Sequence, residues 1–148
     1  MSQSLRVNSD KNMSQLFRFP YTIGLHDTDA AGLIFSANII RICHHAYEAF
    51  LEQIGFGMAR LFEQRTMGLP IVHIEADFVR PLTVGSKVEI LARVAHLGKT
   101  SYRMAYELRD TSGEVCATAA TVHVCADPRT RDPMSLPDEF RAALAAYA

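Results

Sequence analysis

Hydrophobic residues recur at helical spacing through the segment NIIRICHHAYEAFLEQIGF, residues 38–56. Steps of three or four residues separate the members of one apolar stripe: Ile39, Ile42, Cys43, Ala46, Tyr47, Phe50 and Ile54. This period predicts a long amphipathic helix whose wide stripe is buried. Asn38 is a candidate N-cap for this helix, and Gly55 is a candidate C-terminal stop.

The chain on either side of this helix alternates instead. LFRFPYTIGL (16–25) predicts a first strand, which Pro20 restricts to an edge or a bulge. Four strand patterns follow the helix: LPIVHIEADFVRP, SKVEILARVAHL, SYRMAYELRD and EVCATAATVHVCAD. Their links are short and carry the turn residues TVG, GKT and TSG, so an antiparallel meander is expected. MARLFEQRT and PDEFRAALAAYA predict short helices, the latter capped by Asp138 or Ser135 with Pro137 at its first position.

Within the first of these four patterns, two sets of side chains alternate. Val72, Ile74, Ala76 and Phe78 form an apolar face, and His73, Glu75 and Asp77 form a polar one. The whole order predicts an α+β fold, with an antiparallel sheet of about five strands wrapped around one long central helix. We expect a single domain over residues 16–148 and a disordered polar segment over residues 1–15.

Composition excludes several classes of partner. The 148 residues carry 15 Lys+Arg against 16 Asp+Glu, a net charge of -1, so neither nucleic acid nor an anionic membrane is the expected partner. No segment has the apolar length of a membrane span, and the N-terminus lacks the apolar core of a secretory signal. Cys43, Cys116 and Cys125 are odd in number and lack CxxC spacing, which favours reduced thiols and a cytoplasmic protein.

The loop HDTDAAGLIFSAN (26–38) carries the most informative chemistry. Asp27 and Asp29 stand two residues apart, directly before the long helix. Such a pair is most often a helix cap or a turn, but it also suits a metal site or catalytic carboxylates. The pair alone does not decide among these three interpretations.

A wider pattern around this loop resembles a known family. DTDAAGLIFSANIIRICHHAYEAFLEQIG is similar to the D-x-D-x-x-G segment and central helix of the hot-dog-fold acyl-CoA thioesterases of the 4-hydroxybenzoyl-CoA thioesterase type. DFVRP followed by VGSKVEI resembles the family's next landmark, although Gly85-Ser86 departs from its usual Gly-Asp. CHHAYE and LPIVHIEADF look closest to the branch that hydrolyses 1,4-dihydroxy-2-naphthoyl-CoA in quinone synthesis.

The resemblance implies a role for each part of the loop. Asp29 matches the family's catalytic carboxylate, which attacks the thioester carbonyl or activates water. Asp27 would shape the turn through hydrogen bonds to backbone N–H groups. Gly32, without a side chain, would let a carbonyl approach the backbone, and the N–H groups from Ser36 onward would polarise the thioester oxygen. Ser36 departs from the aromatic residue of many relatives, which would alter the acyl pocket.

The resemblance implies that the wall of the long helix opposite the catalytic carboxylate lines the aromatic acyl pocket, at a position that matches His44 or its neighbours. His44 and Glu48, or His45 and Glu48, can bridge on one helix face and hydrogen-bond hydroxyl groups of an aromatic ring. A solvated or interface-facing pair is an equally open interpretation, and a metal site would need ligands from elsewhere. His73 on its strand is a further pocket candidate or a surface histidine. We leave His26, His96 and His123 without a role, and Cys43 is expected in the core.

The resemblance implies that coenzyme A binds at the surface through the turn HLGKTSYR. Lys99 at its tip, with Thr100 and Ser101 as hydrogen-bond donors, can meet phosphates at little desolvation cost, although a solvated lysine explains the same sequence. The resemblance implies an aromatic acyl-CoA substrate, no cofactor, no metal, and a homo-oligomer, a tetramer built from two dimers with active sites between subunits. The alternatives are a short-chain acyl-CoA or acyl-ACP thioesterase and a non-catalytic acyl-CoA-binding module.

Overall fold

This computed structural model describes residues 15–148, so the disorder predicted for the preceding residues lies outside the part described. In chain order the elements are β1 (Phe17–Thr22), a 3-10 turn (Leu25–Asp27), α1 (Asn38–Gln53), α2 (Met58–Gln64), β2 (Ile71–Phe78), β3 (Lys87–Leu97), β4 (Ser101–Arg109), β5 (Val115–Val124) and α3 (Asp138–Ala145). The predicted α+β arrangement is confirmed, since one five-stranded antiparallel sheet packs on the long helix α1. None of the described helices is long and apolar enough to cross a membrane.

The apolar stripe of α1 fills the core, as its period predicted. The buried members are Ile39, Ile42, Cys43, Ala46, Tyr47, Phe50 and Leu51. Gly55 follows the helix at φ +89°, a conformation that glycine adopts without strain, which confirms it as the stop. The capping predictions are wrong by one residue, because Asn38 and Asp138 are the first residues of α1 and α3 and no side chain caps either helix.

The strand order is β1-β3-β4-β5-β2, so only the last three strands form the predicted meander. β2 lies at the far edge, paired with β5, because β3 has β1 and β4 as its two neighbours. The eight residues 79–86 link β2 to β3 and can reach about 26 Å, more than the roughly 14 Å between these strands. Pro20 lies in β1, an edge strand, as the sequence predicted.

β2 leaves its apolar side chains exposed in the single chain. Ile74 and Phe78 are each 48% exposed and Val72 is 61% exposed, so the predicted apolar face is open to solvent within one chain. A bulge between Ile71 and His73 also breaks the alternation at Val72. The cause is position, because an edge strand has no further strand or helix beyond it to cover these side chains.

Candidate active site

The loop between β1 and α1 folds into a short hairpin, which we call the Asp29 hairpin and define as residues 27–35. The N–H of Phe35 donates to the carbonyl of Asp27 at 2.9 Å, and the N–H of Asp29 donates to the carbonyl of Leu33 at 2.9 Å. The N–H of Ile34 donates to the carbonyl of Leu82 at 2.8 Å, which ties the hairpin to the β2–β3 link. The two predicted acids therefore lie on one arm of a fixed hairpin.

Asp29 lies at the tip of this hairpin with its side chain exposed. Its Oδ1 accepts the N–H of Ala31 at 2.8 Å, which leaves its second oxygen open to solvent or substrate. Gly32 closes the turn at φ +77° and donates its N–H to the carbonyl of Asp29 at 3.0 Å. The N–H of Gly32 is thus occupied and is not an oxyanion donor in this conformation. No heavy atom lies within 4 Å of a Cβ built there, so the space predicted beside Gly32 is present.

Asp27 differs from Asp29 in being completely buried. Its Oδ2 accepts the N–H of Gly24 and the hydroxyl of Tyr21, both at 2.8 Å, and its Oδ1 pairs with the guanidinium of Arg41. Burial acts to raise the pKa of Asp27, but the Gly24 and Tyr21 hydrogen bonds and the charges of His26 and Arg41 outweigh it and lower the pKa. Asp27 is therefore an ionised anchor of the loop with its lone pairs engaged.

The N-terminus of α1 follows the hairpin directly. Within residues 15–148 the N–H groups of Ser36 and Ala37 donate to no acceptor, and no side chain caps the helix. Asn38 instead donates its Nδ2 to the carbonyl of Asp27 at 3.0 Å. Ser36 follows Phe35, whose N–H donates to the carbonyl of Asp27 at the base of the hairpin. The open N–H groups therefore begin at the base of the same hairpin that carries Asp29 at its tip, and with the helix dipole they can polarise a thioester oxygen.

The polar residues of α1 divide into two pairs. His44 Nε2 lies 3.5 Å from Glu48 Oε1, with the side chains 41% and 52% exposed, so these two groups can both meet a ligand. The ring of His44 also packs 5.6 Å from the ring of buried Tyr47. His45 is separate from this pair, since its Nε2 lies 3.4 Å from Arg41.

His73 lies away from these helix residues. In the register of β2 and β5 it pairs with Val122. Thr121 and His123 point toward α1, so Val122 between them, and His73 with it, lie on the opposite face of the sheet. His73 Nε2 lies 3.5 Å from Glu75 on the same face. One chain therefore does not bring His73 together with His44 and Glu48, and the predicted pocket cannot form from these residues within one chain.

The β3–β4 turn that holds Lys99 is tied to its neighbours by backbone hydrogen bonds, and the side chain of Lys99 is exposed. The carbonyl of Lys99 accepts the N–H of Leu136 at 3.0 Å, and the carbonyl of Thr100 accepts the N–H of Cys125 at 2.7 Å. Ser101 closes the turn by accepting the N–H of Gly98 at 2.8 Å. The ammonium of Lys99 forms no ion pair within the described chain.

Lys99 and Asp29 lie at opposite ends of one chain. The Asp29 hairpin contacts the link that leaves the C-terminal end of β2, whereas the Lys99 turn bonds to the end of β5, next to the start of β2. The 11-residue strand β3 alone places about 30 Å between the two regions. The predicted catalytic and coenzyme A residues of one chain thus do not form one site.

Other reactive groups do not compete for a catalytic role. Cys43 is fully buried, and burial raises the pKa of its thiol to about 12, so the predicted core position is confirmed. Across residues 15–148, no three His, Cys, Asp or Glu side chains are grouped so that they could hold a metal ion. Sequence reasoning missed Arg41 and Tyr21, whose contacts to Asp27 join segments that no local pattern connects.

The chain is similar to known thioesterases over most of its length. The thioesterase-like superfamily matches residues 23–144. The chain is 41% identical over 119 residues to a 1,4-dihydroxy-2-naphthoyl-CoA hydrolase of Gloeothece citriformis, covering 79% of this chain and 83% of that protein. It superposes on the crystal structure of a 1,4-dihydroxy-2-naphthoyl-CoA thioesterase from Synechocystis with a TM-score of 0.82 and 26% identity, covering 88% and 96% of the two chains.

A second solved structure is similar over a comparable length. A gentisyl-coenzyme A thioesterase superposes with a TM-score of 0.77 and 26% identity, over 86% of this chain and 98% of that chain. The superfamily match, the identity to curated hydrolases and the shared architecture agree with the resemblance of the D-x-D-x-x-G loop and the central helix. The chain therefore belongs to the thioesterase-like superfamily, and it is a thioester hydrolase with the hot-dog fold.

Proposed function

We propose that the protein hydrolyses an aromatic acyl-CoA of the hydroxybenzoyl or 1,4-dihydroxy-2-naphthoyl type, with Asp29 as nucleophile or general base. The observation that carries this proposal is an exposed carboxylate with one open oxygen, on a hairpin that leads directly into the uncapped N-terminus of α1. The N–H groups of Ser36 and Ala37, aided by the helix dipole, would stabilise the oxyanion that forms when the carbonyl carbon is attacked. No metal or cofactor takes part in this mechanism.

The pair of His44 and Glu48 supplies the preference for a hydroxylated ring. Both side chains are about half exposed, and the ring of His44 is supported from below by the buried ring of Tyr47. A ring hydroxyl would satisfy these polar groups, whereas an alkyl chain would leave them without partners, which costs binding energy. The relatives named for 1,4-dihydroxy-2-naphthoyl-CoA and gentisyl-CoA act on aromatic esters, which supports the same substrate class.

A thiol-release screen tests the substrate class. We expect hydroxybenzoyl-, gentisyl- and 1,4-dihydroxy-2-naphthoyl-CoA to show at least about tenfold higher kcat/KM than short alkyl esters. A ratio of this size is what leaving one or two polar groups of the pocket without hydrogen-bond partners would cost. Benzoyl- and phenylacetyl-CoA, which lack hydroxyl groups, are the matched controls. Equal rates on all esters contradict the aromatic pocket. Faster hydrolysis of short acyl-CoA or acyl-ACP esters supports that alternative, and an inert protein contradicts the enzyme itself.

A second copy of the chain would complete the site. β2 is an edge strand with exposed Ile74 and Phe78, and antiparallel pairing with the same strand of a second copy would cover them. This pairing brings the partner's N-terminal end of β2, and with it the partner's Lys99 turn, beside the Asp29 hairpin. Lys99, Thr100 and Ser101 would then bind coenzyme A phosphates across the interface. A tetramer built from two such dimers, and a cytoplasmic location, remain part of this proposal.

Charge at the edge strand tests this assembly. Replacing Ile74 with glutamate is expected to shift the protein to a species of lower mass and to reduce hydrolysis, because a buried unpaired carboxylate disfavours the strand pairing. Light scattering coupled to size-exclusion chromatography measures the mass. Phe62→Glu on α2 is the matched control, since Phe62 is 74% exposed and lies on another element. An Ile74→Glu protein with the mass of the wild type contradicts pairing through β2.

A further inference from the structure

We propose that Arg41 is a positioning residue for the hydrolysis. Its ion pair with the buried carboxylate of Asp27 holds the Asp29 hairpin in register with the first turn of α1. This inference rests on the proposed function, because the hairpin carries the proposed carboxylate and α1 carries the proposed oxyanion donors. Arg41 does not touch the reacting atoms in this role and acts through Asp27.

Asp27 joins the segments that must stay in register. Its side chain binds the end of β1 through Tyr21 and the 3-10 turn through Gly24. Its main-chain carbonyl accepts Phe35 N–H at 2.9 Å from the other arm of the hairpin and Asn38 Nδ2 at 3.0 Å from α1. A shift of Asp27 would therefore move both arms of the hairpin relative to the helix.

Arg41 supplies the compensating charge for this buried group. The guanidinium pairs with Asp27 Oδ1, and its Nε lies 3.5 Å from Asn38 Oδ1, which orients the amide that holds the Asp27 carbonyl. His26 Nε2 is also 3.5 Å from Asp27 Oδ1, but its side chain is 70% exposed. Without Arg41, the completely buried carboxylate would lose its closest cation, and such a group is stable only with a new partner or access to water.

The distance from Asp27 to the proposed chemistry is short. Asp29 follows two residues later on the same arm, and Ser36 follows Phe35, which Asp27 holds on the other arm. Misplacement of a reacting group by about 1 Å can reduce a rate by about 10²-fold without weakening substrate binding. Loss of Arg41 should therefore lower kcat more than it raises KM. A protein that is only destabilised would instead contain fewer folded molecules, and each folded molecule would keep the wild-type kcat and KM.

The kinetic test compares Arg41→Gln, Arg41→Lys, Asp27→Asn and the double variant Asp27→Asn/Arg41→Gln. Arg18→Gln is the matched control, because Arg18 pairs with Glu89 on the solvent side of β1. With a hydroxylated aryl-CoA, Arg41→Gln should lower kcat by about 10- to 100-fold with KM changed less than twofold. Arg41→Lys should recover part of this loss, and the control should match the wild type. The double variant avoids an unpaired buried charge and keeps the test valid if Arg41→Gln fails to fold.

Amide hydrogen exchange provides a reading that does not depend on the substrate. Arg41→Gln, or the double variant in its place, should exchange faster over residues 28–36 while residues 102–108 of β4 keep their wild-type protection. Wild-type kcat, or a loss of kcat with unchanged exchange in the hairpin, overturns the proposal. If the wild-type protein hydrolyses no ester, the proposed function fails instead, and the exchange result alone decides whether Arg41 holds the hairpin.

Discussion

Replacing Asp29 with asparagine is expected to lower kcat for aryl-CoA hydrolysis by about 10³-fold, within the range that a positioned acid–base group contributes. Asparagine retains an oxygen that can accept the Ala31 N–H, so the turn at the hairpin tip should keep its shape. The change therefore removes the charge and the basic oxygen without removing the local hydrogen bond. Initial rates of thiol release, measured at saturating ester, give the comparison.

The control for this change is Asp110→Asn. Asp110 lies in the turn between β4 and β5, and its Oδ1 accepts the N–H of Ser112 two residues on, as Asp29 Oδ1 accepts that of Ala31. Its loss should leave kcat within twofold of the wild type, and the Asp29→Asn protein should keep the wild-type melting temperature. Hydrolysis by Asp29→Asn at the wild-type rate would remove Asp29 from the chemistry and leave the α1 N-terminus as the only proposed contributor.

Elements with a strong local period were predictable from the sequence. The stripe of α1 specifies its buried face because residues at three- and four-residue steps share one side of a helix. Pro20 predicted an edge strand because it cannot donate a ladder hydrogen bond. The hairpin tip was predictable in part, since Gly32 marks a turn at positive φ.

Features that depend on distant partners were not predictable. The alternation of β2 is the same whether it pairs with β3 or β5, so the sequence did not reveal that it crosses to the far edge. The pairing of Arg41 with Asp27 joins positions 14 residues apart through a loop, a spacing that no helical or strand period relates. For the same reason, the separation of His73 from His44 appeared only once the sheet faces were known.

His123 is a buried histidine to which the sequence assigned no role. Its ring is 1% exposed and stacks on the rings of Tyr47 and Tyr102, at centroid distances of 4.3 and 5.1 Å. Nε2 lies 2.8 Å from Thr121 Oγ1, and Nδ1 lies 3.5 Å from the carbonyl of Leu69. The alternation along β5 indicated this burial. Every second residue of the strand faces the core, and His123 belongs to this set together with Ala117, Ala119 and Thr121.

This burial makes the stability of the fold sensitive to acid. Desolvation, which outweighs the opposing hydrogen bond to Leu69 and is aided by the charge of His44, lowers the pKa of His123 from 6.5 to about 4. The unfolded chain therefore binds more protons than the folded chain between these pH values, and stability falls as the pH drops from 6.5 toward 4. A shift of this size corresponds to about 3 kcal/mol at the lower end of the window.

Replacing His123 with phenylalanine should remove this pH dependence while keeping a ring between the two tyrosines. Urea unfolding at fixed protomer concentration should show the wild type losing about 3 kcal/mol between pH 6.5 and 4, and the variant losing much less. The lowered pKa values of Asp27, Asp110 and Asp127 also cost stability as the pH approaches their unfolded value of 3.8, but the wild type and the variant share these carboxylates, so their effect cancels in the difference between the two proteins. Exposed His96→Gln is the control and should keep the wild-type slope. Equal slopes for wild type and His123→Phe would mean that the folded core accepts the charged ring, which contradicts its enclosure by Tyr47 and Tyr102.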